Sequence, residues 1–201
     1  MERNRLNSSM NKGVYPVFPD WIFSGTIELT PEIERGIRAD IDKIIEDSSH
    51  HTNFGWLTLK EVPLSGNARK LQLLIGSYFV ECVKTKFKHI LDRNIQVVEP
   101  TLLGIKPEAI YPVTVERNRW YRGIVWLQTT DKGSSLYMEN FASKLYSDPP
   151  GVQEYTHYIK PGDWKYVFFP AHLPAGFAPN TSMIDTIVFD CTFTAFPNAK
   201  N

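Results

Sequence analysis

The sequence is poor in the residues that metal sites, disulfide frameworks and membrane spans require. Only two cysteines, Cys82 and Cys191, stand in 201 residues. Their separation excludes a cysteine-ligated zinc and a disulfide scaffold. They read instead as small buried hydrophobes of a reducing compartment. Histidine is scarce as well, with five in the chain. No stretch approaches the roughly 20 apolar residues of a membrane helix. Net charge is absent, since 22 basic residues balance 22 acidic ones. That balance removes the electrostatic case for a nucleic-acid or anionic-membrane partner. The opening residues, Met1 to Gly13, are polar, carry Arg3, Arg5 and Lys12, and contain no apolar core of a secretion signal. The nucleophile elbow GxSxG, the phosphate loop, the CxxC pair and the HExxH zinc helix are all missing.

What the chain does have is apolar and aromatic bulk, 42% and 13% of its residues, enough for a packed core. One domain is expected over residues 14–201, preceded by a polar arm, residues 1–13. Val14 to Leu29 is strand-like and interrupted by Pro16 and Pro19. Thr30-Pro31 then forms a helix start, with a capping hydroxyl and a proline at the first helical position. Ile33, Ile37, Ile41, Ile44 and Ile45 predict a helix to about Asp47. His50 and His51 follow in a polar loop, and Trp56 to Val62 suggests a strand. A longer apolar stripe, from Leu71 through Phe79 to Leu91, predicts a second helix from Asn67 to about Asp92. Beyond Ile95 the helical period ends. Short strand candidates follow at 95–103, 110–115, 121–129, 135–141, 155–159, 164–169 and 186–193, punctuated by turn residues. Two helices followed by a run of strands is an α+β layout, with the helices on one face of a β core.

The most organised stretch is Pro161 to Asn180, PGDWKYVFFPAHLPAGFAPN. It reads as a Pro-Gly turn of type II, a buried aromatic strand closed by Phe169-Pro170, a corner, and a return at Gly176-Phe177. This stretch resembles the C-terminal signature of the iron- and 2-oxoglutarate-dependent oxygenases, a double-stranded β-helix (jelly-roll, cupin-like) family. Further landmarks agree: Arg122 to Leu127 (RGIVWL) stands where the family has a Ser-Gly strand. Gly133 to Tyr137 resembles the turn after it, and YPVFPDWIF, residues 15–23, resembles the entry strand. The resemblance implies an iron centre of two histidines and one carboxylate, and of the residues at its three positions only Glu116, a methylene longer than the usual Asp, could serve as a ligand. Counting back from Gly123, the first two ligands fall at Thr114 and Glu116, and the third falls at Ala175. The basic partner of the cosubstrate should stand near the start of the last strand, which reads Met183-Ile184-Asp185-Thr186-Ile187.

The reading that follows is a degenerate, non-catalytic relative with no metal and no cofactor, serving as a structural or interaction module. The resemblance to small oxygenase-like proteins of tailed bacteriophages adds the expectation of a virion component, in a neck or tail, or of a host-cytoplasmic protein. Protein partners would be met through the arm and through the tail from Phe196 to Asn201, with no membrane and no nucleic acid. One alternative is an active Fe(II)/2-oxoglutarate-dependent dioxygenase with a displaced ligand set, Glu116 with His157 and His172. The bland reading of those residues is a solvated ion-pair loop around Glu116 and hydrogen-bonded surface or corner histidines. Another alternative is a sugar- or small-acid-binding module, with Trp126 and Trp164 lining the vacated barrel mouth. The arginines 117, 119 and 122 beside Trp120, Tyr121 and Trp126 also suggest a weak stacking surface for bases or sugars.

Overall fold

The computed structural model describes residues 13–17, 20–47, 55–59, 66–87, 93–116, 118–139 and 156–197. Eleven strands and two helices account for most of them. In chain order these are β1 (Gly13–Val17), β2 (Asp20–Thr26), α1 (Pro31–Asp47), β3 (Trp56–Leu59), α2 (Gly66–Lys86), β4 (Arg93–Ile105) and β5 (Tyr111–Thr114). They continue with β6 (Tyr121–Gln128), β7 (Leu136–Glu139), β8 (Thr156–Ile159), β9 (Lys165–Pro170), β10 (Ala175–Phe177) and β11 (Thr186–Pro197). Every strand pairing is antiparallel. Seven strands form one sheet in the order β1-β2-β9-β6-β11-β4-β3, and four form a second in the order β5-β10-β7-β8. Two opposed antiparallel sheets with a pair of helices outside give the expected α+β jelly roll.

The central strands of the larger sheet, β6, β9 and β11, are largely apolar on both faces because each face packs on something. One face meets α1 and α2: Ile37, Ile41, Leu71, Ile75 and Phe79 pack on Phe23, Val125, Phe168, Phe189 and Phe193. The other face meets the smaller sheet: Ile124, Trp126, Val167, Phe169 and Val188 pack on Leu136, Met138, Ala175 and Phe177. Period-2 alternation therefore sorts β6, β9 and β11 between a helix-side core and a barrel core.

Several boundaries differ from the sequence expectation. α2 ends at Lys86, and His89 lies outside the described residues, as do His50 and His51. β4 begins earlier and ends later than expected, because β11 pairs with it from Arg93 to Ile105. The tight turn sits two residues later than Pro161-Gly162 suggests. Lys165 N donates to Gly162 O at 3.0 Å, and Trp164 itself takes the left-handed conformation, φ 58°. Trp164 consequently precedes β9 and joins the helix-side core.

Candidate functional site

Directly paired residues of an antiparallel sheet project to the same face, so register alone assembles one row in the smaller sheet. Ala175 on β10 stands opposite Thr114 on β5 and opposite Met138 on β7, and Met138 stands opposite His157 on β8. The structure thus makes neighbours of Thr114 and Ala175, the two positions that the family resemblance gives to histidine ligands. Ala175 and Met138 are fully buried in the barrel core.

Across from this row, the larger sheet contributes a charged pair. Arg122 lies on β6 two residues before Ile124 and four before Trp126, hence on their barrel-facing side. Its Nε donates to Asp190 Oδ1 at 3.0 Å and its Nη2 to Asp190 Oδ2 at 2.5 Å. Its Nη1 donates to Thr114 Oγ1 at 2.7 Å, and the threonine hydroxyl in turn faces the Ala175 carbonyl at 3.5 Å. The Arg122 side chain is 2% exposed and that of Asp190 14%. Burial works against the guanidinium charge, but the fork-to-carboxylate contact with Asp190 outweighs it and holds the Arg122 pKa above its ordinary value. Burial also pushes the Tyr111 phenol up, opposed by the Arg122 charge. Glu116, half-buried, anchors its own backbone by donating N–H to Ala171 O at 3.1 Å. Its carboxylate favours the charge on Arg122.

The displaced ligand set does not assemble. His157 is two strands from Ala175 and three from Thr114, about 10 and 14 Å at about 4.8 Å per strand. His172 is exposed at the corner between β9 and β10. Among the described residues no three His, Cys, Asp or Glu side chains are grouped to hold a metal ion. The binding-module expectation also changes. Trp126 belongs to the barrel core and Trp164 to the helix-side core, so the sheet separates them and they line no common mouth. Arg122 is buried and cannot stack on a base or sugar, and Arg119 is taken up by Glu99. Arg117 lies outside the described residues. Sequence reasoning missed the pairing of Arg122 with Asp190. The available signal was one charge of each sign inside two otherwise apolar strands, YRGIVWL and TIVFDCTF.

No family model and no curated protein matches the chain. Solved structures do. A prolyl-4-hydroxylase of Pseudomonas putida shares 14% identity over 86% of this chain and 91% of its own, with a TM-score of 0.61. The α-ketoglutarate-dependent carbocyclase SnoK of nogalamycin biosynthesis shares 11% over 89% and 83%, with a TM-score of 0.62. HygX of Streptomyces hygroscopicus, solved with nickel and 2-oxoglutarate bound, shares 6% over 86% and 81%, with a TM-score of 0.61.

These likenesses correct the expectation of a chain without cofactors. One neighbour of the same fold holds nickel and 2-oxoglutarate, and another is named for its dependence on that acid. The side chains at the matching positions do not fit the metal half of that pair. A hydroxyl, a carboxylate and a methyl replace two imidazoles and a carboxylate. A guanidinium also reaches the row where the metal would be held. By architecture, the chain has the double-stranded β-helix fold of the iron- and 2-oxoglutarate-dependent oxygenases.

Proposed function

We propose that this chain uses the oxygenase barrel as a scaffold for interaction, not to oxidise a substrate. The observation that carries the reading is the buried guanidinium of Arg122, 2.7 Å from the hydroxyl of Thr114 and fork-bonded to Asp190. Oxidation in this fold needs an open coordination face for cosubstrate and oxygen. Here the positions matching the ligands hold a hydroxyl, a carboxylate and a methyl, and the Arg122–Asp190 pair reaches the first of them. The resemblance to small phage proteins supports a place in a virion neck or tail, with the N-terminal arm and the C-terminal tail as contacts. Phe196, 49% exposed at the end of β11, is the described residue that fits such a contact.

A second reading is favoured by the structural likeness itself: an Fe(II)/2-oxoglutarate-dependent oxygenase whose ligands lie away from the matched positions. One experiment separates the two. The purified chain is titrated anaerobically with Fe(II) in the presence of 2-oxoglutarate, then exposed to oxygen while succinate is measured. The scaffold reading expects no succinate above the protein-free control. Stoichiometric iron with succinate release would establish the second reading. The contact surface is tested by removing residues 1–12, which stops short of β1. Loss of assembly with an unchanged circular dichroism spectrum is expected, and normal assembly would sink that part of the proposal.

A further inference from the structure

The geometry points to Arg122 as an internal cation that stands in a metal's place, closing this end of the barrel and barring a divalent ion from it. The inference concerns the same site as the proposed function but does not depend on it, since an active centre elsewhere would leave it intact.

Three observations converge. The first is position. Thr114 and Ala175 are direct cross-strand partners on the smaller sheet, and both are short side chains. The Arg122 head group, reaching over from the larger sheet, donates to Thr114. It therefore links β5 of one sheet to β6 and β11 of the other, the kind of cross-link that a bound metal makes. The second is partnering. Asp190 accepts both Nε and Nη2, so a single carboxylate fixes the plane of the guanidinium. A cation held this way is not a mobile surface arginine that a metal could push aside. The third is burial. At 2% exposure the pair is shielded by little solvent, and a divalent ion placed in the Thr114–Ala175 row would meet the Nη1 edge of the guanidinium, the part that Asp190 does not cap. Restoring ligands alone should therefore not restore metal binding.

That consequence is testable by construction. The donor set is rebuilt as T114H/E116D/A175H, once with Arg122 and Asp190 retained and once with R122S/D190N added. Each protein is titrated anaerobically with Co(II), and the visible ligand-field bands are followed. With Arg122 present, no stoichiometric cobalt complex is expected. With R122S/D190N, a one-to-one complex should form at least tenfold more tightly. Equal cobalt affinity in the two proteins would overturn the inference, as would a folded R122S/D190N protein that takes up no cobalt. Should the multiple variants fail to fold, the native background decides through R122M, D190N and R122M/D190N. An internal cation that closes the barrel requires the double variant to lose clearly less thermal stability than the two singles summed. Additive losses would overturn it. Succinate release by the wild-type chain would remove the scaffold reading while leaving these comparisons unaffected.

Discussion

Gly123 shows how little room the larger sheet leaves on its helix side. A Cβ there would lie 2.8 Å from Phe193 Cε2, 3.1 Å from Phe168 Cδ1 and 3.2 Å from Cys191 Sγ. Phe193 cannot yield freely, because Phe79 is stacked on it with ring centroids 3.8 Å apart. Gly123→Ala should therefore cost about 1–3 kcal/mol by overpacking, read as a lower urea midpoint with an unchanged slope. Tyr166 makes a prediction in pH. Burial, then the neighbouring Cys82 and Tyr78, pushes its phenol far above the ordinary tyrosine value. Below about pH 10 both folded and unfolded chains keep the proton, and the contribution of Tyr166 is fully present. As pH rises past that point the unfolded chain loses its proton first, and stability falls. Tyr166→Phe keeps the stacking on Phe168, at 4.7 Å, and should flatten the loss of stability between about pH 10 and 11. An equally steep alkaline loss in the variant would count against this. At this scale Thr114 and Ala175 are plain in the letters, at positions that the family resemblance, and not the letters, gives to metal donors. The sequence does not show what stands beside Thr114, because Arg122 and Asp190 are 68 positions apart and meet only once β6 and β11 pair.

The helices show the same contrast between local and distant information. α1 starts where its own sequence says it should: Thr30 Oγ1 accepts from Ile33 N at 3.4 Å, and Pro31 takes the first helical position. α2 takes a cap from a distance. Its first residue, Gly66, has φ 56°, and its free N–H groups are met from outside, by Asp40 in the middle of α1. Asp40 Oδ2 accepts from Asn67 N at 2.7 Å and from Ala68 N at 3.3 Å. A carboxylate at a helix N-terminus is favoured by the dipole as well as by the hydrogen bonds. One side chain of α1 thus caps α2 and fixes the crossing of the pair. Asp40→Ala should cost about 0.5–2 kcal/mol, while Asp40→Asn, which keeps an acceptor, should cost less. Paired denaturation curves would show it, and an indistinguishable Asp40→Ala would mean that solvent caps α2 equally well. Periodicity could place both helices, yet it could not anticipate a cap supplied from 27 positions away. The turn before β9 is similar: Pro161-Gly162 announces a reversal, and the register of Lys165 on Gly162 decides where it falls.

For the molecule as a whole, the larger sheet is shared property. Val125 faces the helices while Ile124 and Trp126 face the smaller sheet; Phe168 and Phe169, and Val188 and Phe189, divide in the same way. No strand of the central trio β9-β6-β11 belongs to one core alone, so damage on the helix side should be felt in the barrel. Phe79 is the sharpest probe, fully buried and in ring contact with Trp120, Tyr121, Phe168 and Phe193. Truncating it to alanine removes that cluster's centre and should cost about 3–5 kcal/mol. If the sheet couples the layers, amide exchange in α2 and in residues 124–127 of β6 should accelerate together in Phe79→Ala, and one unfolding transition should remain. Faster exchange in α2 with undisturbed protection in β6 would mean that the helices are a separable layer laid on an independently stable barrel. Coupling is the expected result for a second reason. The Arg122–Asp190 pair joins β6 to β11 and reaches β5 through Thr114, so the barrel end is tied to the strands that carry the helix-side core.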